Sequence, residues 1–352
     1  MNKLIETCAK VGEPNEGAAR QTQALLDAKT KPRGSLGRLE RLACQIAAAS
    51  HSVPLDPRRK AMVVMAADHG VAEEGISAYP PEVTAQMLAN FARGGAAINV
   101  LARHVAARLV VIDMGVKAPP PDLPDIRCCR IGPGTGNFAK GPAMTREDGI
   151  RAVEAGIEVA LDLVQGGANL LGIGDMGIGN TTSASAISAA LVGVPADKVV
   201  GRGTGIDDRT LQRKIDIVHR ALQVHRPDPR DPLDVLSKVG GFEIAALAGV
   251  VLASAASRVP VIVDGFPCGA AALVAARLAP RATGYMIFAH RSVEPGHRLV
   301  LDALDAMPLL DLNLRLGEGT GAALAMTMVD ASLSILREMA SFASSGVADT
   351  GA

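Results

Sequence analysis

Five short apolar runs, each close to a Gly or Asp and each followed by a helical stretch, constrain this chain more than anything else in its sequence: residues 61–67, 109–113, 169–173, 260–264 and 283–289. They are apolar almost throughout rather than alternating, which suits strands covered on both faces. Such strands separated by helices are the pattern of βαβ units in a parallel sheet. The predicted fold is α/β, a doubly wound parallel sheet with a smaller helical domain built from both chain ends. Residues 1–58 supply the helical part of that small domain. Within them, 14–50 reads as two helices broken at Lys31-Pro-Arg-Gly-Ser35, where Ser35 can cap the second. Residues 59–310 form the large domain, 311–342 a loop and long helix returning to the small one, and 343–352 a disordered tail.

Composition removes several classes of partner. Lys+Arg and Asp+Glu both number 36, so no overall field draws the chain to nucleic acid or an anionic membrane. With no Trp and 2% aromatics, base-stacking platforms have little material. Cys8, Cys44, Cys128, Cys129 and Cys268 are odd in number and lack C-x-x-C spacing, which points to neither a disulfide framework nor zinc and suggests a reducing cytoplasm. No uninterrupted apolar stretch reaches the roughly 18 residues of a membrane span, and residues 1–17 lack the apolar core of a secretion signal. A small phosphorylated ligand is the better expectation.

In open α/β sheets, ligands bind beyond the carboxyl ends of the strands. After the run at 169–173 comes Gly172-Ile-Gly-Asp-Met-Gly-Ile-Gly-Asn180-Thr-Thr-Ser183, whose glycines admit a ligand close to the backbone and whose helix start favours an anion. Gly172, Gly174 and Gly177 also satisfy G-x-G-x-x-G with Asp197 downstream, so a dinucleotide site, and with it an NAD-dependent oxidoreductase, is a rival reading. A nucleotide sensor without activity is another. Asp207 and Asp208 superficially resemble an acidic ribose grip, but a Gly-rich turn precedes them and a helix follows, so a helix cap is the better reading, and Lys214, farther along that helix, can reach a phosphate or solvent. In Gly317-Glu318-Gly319 a single carboxylate stands between glycines just before the last long helix, which suits a base approaching a ligand in a backbone-lined pocket. His69, His290 and His297 read as hydrogen-bonded structural residues, since no two of the seven His stand at helical zinc spacing.

The segments Thr30-Lys-Pro-Arg-Gly-Ser-Leu-Gly-Arg-Leu-Glu40, Asp68-His-Gly-Val71, 172–182, Gly203-Thr-Gly-Ile-Asp-Asp208, Val263-Asp-Gly-Phe266, Ala289-His-Arg-Ser292 with Glu294-Pro-Gly-His297, and Leu316-Gly-Glu-Gly-Thr-Gly321 together resemble the dimethylbenzimidazole phosphoribosyltransferases, in order and spacing, from residue 30 to 330. The resemblance implies a Rossmann-like large domain, a homodimer, and no metal or cofactor. It implies transfer of 5-phosphoribosyl from β-nicotinate mononucleotide to 5,6-dimethylbenzimidazole with inversion at C1. Glu318 would be the base. Asp175, Gly177, Gly179, Asn180, Thr181, Gly203 and Lys214 would hold phosphate and ribose, and Tyr79, Pro80, Gln86, Met87 and Leu316 would form the benzimidazole pocket. The family commonly has Glu where this chain has Asp175; the expectation for Asp175 is a ribose or water contact, or a nearby cation.

Overall fold

The computed structural model describes residues 3–53, 59–119, 123 and 125–348. The strands are β1 (Lys60–Ala67), β2 (Arg108–Gly115), β3 (Ile126–Cys128), β4 (Leu170–Met176), β5 (Val261–Val263) and β6 (Met286–Phe288). All pair in parallel in the order β3-β2-β1-β4-β5-β6. Helices α1 (Lys3–Lys10), α2 (Glu16–Asp27) and α3 (Arg38–Ser50) precede the sheet, α4 (Glu82–Ala92) and α5 (Ala97–His104) link β1 to β2, and α6 (Arg146–Gln165) leads into β4. Between β4 and β5 lie α7 (Asn180–Val192), α8 (Ala196–Val199), α9 (Asp208–His225), α10 (Pro232–Val239) and α11 (Phe242–Ala256). Then come α12 (Phe266–Leu278), α13 (Pro295–Ala303), α14 (Thr320–Glu338) and α15 (Phe342–Ser345).

Alternation along β1 divides the core. Ala61, Val63, Met65 and Ala67 pack with α6, α11 and α12 on one face, while Met62, Val64 and Ala66 pack with α3, α5 and α14 on the other. Both sets are buried, which is why the run reads as continuously apolar. The order of strands reverses between β1 and β4, so their carboxyl ends splay apart and leave a crevice there.

Several expectations need correction. β3 was not expected; three residues at a sheet edge carry too little pattern. The run at 283–289 is a strand only over Met286–Phe288, because Pro280–Tyr285 winds into a 3₁₀ turn. Helix α1 does not join α2 and α3, which pack beside α14, but lies on the opposite face against α6 and α11, where Leu4 N donates to Glu154 Oε1 at 3.1 Å. Ser35 does not cap α3, whose N-cap is Gly37 without a side-chain bond. The α2–α3 connection is held instead by buried Glu40, which accepts from Leu36 N at 2.9 Å and Gln23 Nε2 at 3.2 Å and pairs with Lys31 Nζ at 2.8 Å. Burial opposes that charge, but these partners keep the carboxyl below its usual pKa. The tail does not begin at 343: Phe342–Ser345 is a helical turn capped by Ser341, and Phe342 N donates to Ala28 O at 3.1 Å. Residues 349–352 of that expected tail lie outside the described residues.

Helices α6 and α11 pack backbone against backbone. A Cβ on Gly156 would lie 1.8 Å from Ala246 O, and one on Gly249 2.0 Å from Val153 O, so the two backbones touch. Gly249→Ala should force them apart and lower stability by about 1–3 kcal/mol in denaturant unfolding. A melting curve matching the parent's would mean that the helices are not packed this closely.

Candidate active site

A cavity of about 330 Å³ opens over the carboxyl ends of the strands at the crevice. Residues 175–181 from the end of β4 and the start of α7 form its floor, with Gly203 and Lys214 beside them. Gly265 follows β5, and His290, Ser292 and Glu294 follow β6. Residues 315–318 close one side, and Ile76, Tyr79, Val83 and Met87 give the opposite end an apolar wall.

Glu318 sits on that boundary. Gly317, Glu318 and Gly319 all have positive φ, of 83°, 61° and 85°. A glutamate in the left-handed region is costly and persists only where its surroundings hold it. Here the sheet does so. Asp264, at the end of β5, accepts from Gly319 N at 3.2 Å and Ala322 N at 2.9 Å, while Glu318 N donates to Asp175 O at 3.1 Å. Glu318 is 5% exposed, and its carboxylate accepts from Ile98 N, at the start of α5, at 3.3 Å. Burial raises its pKa, against the Ile98 and Ala97 N–H groups that favour its charge. No Lys, Arg or His pairs with it among the described residues. It is therefore a desolvated carboxylate suited to accept a proton.

Asp175 is 4% exposed and has both oxygens engaged, Oδ2 by Asn180 Nδ2 at 2.7 Å and Oδ1 by Cys268 Sγ at 3.3 Å. Burial, and then the charge of Asp264, pushes its pKa up to about 7. Burial likewise pushes Asp264 up to about 7 against its backbone donors. No Lys or Arg pairs with Asp175 among the described residues: its hydrogen-bond partners are an amide and a thiol, the charges of Asp264 and Glu243 act on it, and its own charge helps to raise the His69 pKa.

At the polar end α7 starts at Gly179, with φ 98° and no side-chain cap; Asn180 N and Thr182 N turn back onto Gly177 O and Gly179 O at 3.1 and 3.0 Å, which leaves the Thr181 N–H of the first turn facing an anion. Lys214 is 1% exposed and donates to Thr181 Oγ1 at 2.9 Å and Gly201 O at 3.1 Å. Burial lowers its pKa to about 8, with Glu294 working to raise it. Behind this turn His69 Nε2 lies 2.6 Å from Glu243 Oε1, both fully enclosed, and the charge and hydrogen bond of Glu243 raise the His69 pKa despite burial. A Cβ on Gly177 would lie 2.4 Å from Ala67 O and 3.4 Å from the His69 ring, so the pair backs the floor of the cavity.

Of the residues expected here, the cavity brings together Glu318, Asp175, Gly177, Gly179, Asn180, Thr181, Gly203, Lys214, Tyr79, Met87 and Leu316. Pro80 and Gln86 do not line it; both are exposed, and on α4 it is Val83 and Met87, four residues apart, that share the inward face. Gly172 and Gly174 are not turn residues but lie inside β4. A Cβ on Gly172 would meet Met62 Sδ at 2.4 Å, and one on Gly174 would meet Gly319 N at 2.4 Å. These glycines make room for protein, and exposed Asp197, beside Lys198 on α8, is no ribose ligand, so the dinucleotide reading falls. Asp207 caps α9 through Thr210 N at 2.8 Å. His297 takes Ser292 N on Nδ1 at 3.0 Å. Unforeseen members of the lining include Ser77, Thr204, Phe266, Glu294 and Arg315; Glu294 had a visible signal, since a glutamate followed by proline at a helix start is a poor cap for its own helix.

The family model described as "Phosphoribosyltransferase" matches residues 11–347. Among curated relatives, the nicotinate-nucleotide–dimethylbenzimidazole phosphoribosyltransferase of Roseiflexus sp. (strain RS-1) is 55% identical over 99% of this chain and 98% of its own. The protein of the same name from Geobacter metallireducens is 53% identical over 99% and 98%. A crystal structure of CobT from Thermus thermophilus superposes with a TM-score of 0.90 and 48% identity, covering 94% of this chain and 99% of that one.

The two buried aspartates give stability a definite pH dependence. Each carboxyl rises from 3.8 to about 7 in the fold, so the stability present below about pH 4 is lost as pH climbs through 7. Asp175→Asn removes one of these charges. Its gain over the parent should be near zero at pH 4 and on the order of a few kcal/mol at pH 8. Denaturant unfolding at both pH values measures this, and an equal effect at the two would mean that Asp175 is not a buried charge.

Proposed function

This chain belongs to the nicotinate-nucleotide–dimethylbenzimidazole phosphoribosyltransferase family, and on that premise we propose that it moves the 5-phosphoribosyl group of β-nicotinate mononucleotide onto 5,6-dimethylbenzimidazole. The products are nicotinate and α-ribazole 5′-phosphate, used for the lower ligand of cobalamin. The observation that carries this is one buried carboxylate without a cation, Glu318, placed between an apolar wall and a polar end built on Lys214 and the open start of α7.

The chemistry follows from that layout. Nicotinate leaves from a cationic N-glycoside, so the pair of electrons in the broken C1′–N bond neutralises the pyridinium and needs no acid. The acceptor attacks C1′ through its unprotonated nitrogen and must lose the proton on the other one, which Glu318 takes. A desolvated carboxylate is a stronger base than a solvated one. The phosphate rests on Gly177, Gly179, Asn180, Thr181 and Gly203 with Lys214, and Asp175 lies at the ribose end of the same floor. Tyr79, Val83, Met87 and Leu316 take the benzimidazole. With the rings held on opposite faces of the ribose, attack inverts C1′, and fixed orientation supplies effective molarities of about 10⁵ M or more. The same reading extends to a cytoplasmic homodimer. No helix among the described residues is long and apolar enough to cross a membrane.

Incubation with both substrates and separation of products tests the reading. Nicotinate and the α-configured riboside phosphate should appear in equal amounts; a donor bound but not consumed would leave a sensor instead. Glu318→Gln should keep the fold and donor affinity yet lose about 10² to 10⁴ in turnover, and rates within a few fold of the parent would remove this residue from the base role. Lys214→Ala should raise KM for the mononucleotide, because a charge on phosphate serves ground and transition states alike. A kcat loss with donor KM intact would contradict that.

A further inference from the structure

The segment Glu294-Pro-Gly-His297 takes no part in the chemistry above, yet it puts a carboxylate into the phosphate end of the cavity. Glu294 is the N-cap of α13 but forms no side-chain bond with its own helix. Its side chain crosses instead to the turn that precedes α9, where Oε1 accepts from Gly203 N at 2.8 Å. The residue is 6% exposed, and its second oxygen, Oε2, is buried with no hydrogen-bond partner. That oxygen lies against Gly201: a Cβ there would be 2.3 Å from it. A long acid that forgoes a helix cap, buries itself and leaves one oxygen unsatisfied is held at a cost, and such costs concentrate where function requires them.

Across Gly201 lies Lys214. Its ammonium has only neutral partners, Thr181 Oγ1 from α7 and the Gly201 carbonyl from the turn. Of the nearby cations, Arg315 reaches Gly203 O at 3.5 Å and Arg213, next on the helix, turns toward Gly75, so neither offsets the burial of the ammonium. Asp175, the other carboxylate at this end, has both oxygens occupied. Among the described residues, Glu294 is thus the one acid placed to offset the burial of the ammonium. Resting on the function proposed above, we infer that Glu294 is a positioning residue for the donor phosphate: it tethers the turn at Gly203 and keeps Lys214 charged until the phosphate arrives. Taking the carboxylate away while keeping its hydrogen bond should leave Lys214 losing its proton at lower pH, because the opposite charge that favours the ammonium is gone.

The test is kcat/KM for nicotinate mononucleotide against pH in the parent, Glu294→Gln and Glu294→Asp. In the parent this quantity should fall on the alkaline side near the Lys214 value of about 8. In Glu294→Gln the fall should move down by on the order of one pH unit, with Glu294→Asp in between. KM for dimethylbenzimidazole should not follow the shift. The readout is the position of the fall and not the level of activity, so it separates a charge effect from a general weakening. Should the Gln variant not fold, the Asp variant still decides. A uniform loss at every pH, with the fall where the parent has it, would overturn the inference and leave Glu294 a scaffold for Gly203. Binding of inorganic phosphate, followed calorimetrically over the same pH range, reports the same titration without turnover. A parent that binds phosphate but transfers nothing would therefore count against the proposed reaction and not against the role of Glu294.

Discussion

The site hangs on the carboxylate of Asp264. It stands at the carboxyl end of β5, fully buried, and its two oxygens take the Gly319 and Ala322 N–H groups at the start of α14. That bond pair decides where the last long helix begins, and with it the register of the left-handed turn that carries Glu318. The turn is strained, since three successive residues have positive φ and one of them is not glycine. It also needs space: a side chain on Gly174 would collide with the Glu318–Gly319 peptide, and one on Gly321 would meet the His290 ring at 2.1 Å. Glu318 is therefore placed by the end of the sheet, not by the loop in which it lies.

The same arrangement makes the site electrostatically unfavourable when empty. Asp175, Asp264 and Glu318 are buried within one neighbourhood and pair with no Lys or Arg among the described residues; only the His290 ring, whose pKa burial lowers, comes within 3.6 Å of Asp264. Burial is the leading cause of each upward pKa shift, and the charges of the other acids add to it for Asp175. At the other end the Lys214 ammonium is buried, hydrogen-bonds only to neutral groups and shifts downward despite the charge of Glu294. The upward shift suits a base, whereas the downward one works against an anion-binding cation and makes its charge depend on Glu294; neither shift arises at the protein surface. The fold supplies them by covering both ends of the crevice with helices, at the expense of stability near neutral pH.

Much of this was legible in the sequence, and the failures have physical causes. Continuous apolar runs marked β1, β2 and β4 because both faces of those strands are covered, whereas β3 and the start of the 283–289 run were misread because a short strand and a 3₁₀ turn leave no period to detect. Glu318 could be singled out because glycine on both sides of a carboxylate serves a close backbone approach, which a solvated loop does not need. Gly172 and Gly174 misled for a related reason: a glycine needed for close packing within a strand looks the same as one needed for a ligand, and only the neighbour, Met62 in one case and the 318–319 peptide in the other, tells them apart. Gln86 was placed in the pocket by resemblance, yet helical phase puts it one position away from the inward face of Val83 and Met87.

The two ends of the cavity are also built with different stiffness, which bears on what each can discriminate. The phosphate end is made of backbone N–H groups and a lysine that is 1% exposed, all tied to β4, α7 and α9, so its geometry is set by the sheet. The acceptor end is walled by side chains, and two of them, Tyr79 at 54% and Leu316 at 58%, stand largely in solvent. Apolar contacts discriminate weakly by shape, on the order of 1–3 kcal/mol per methylene, whereas fixed donors reject a misfit strongly. On the function proposed above, the donor end would accordingly hold a single phosphorylated ribose. On the same proposed function, the acceptor end would take an apolar ring that offers an N–H to Glu318, and selection among such rings would then rest on the few side chains of this outer wall rather than on the fold.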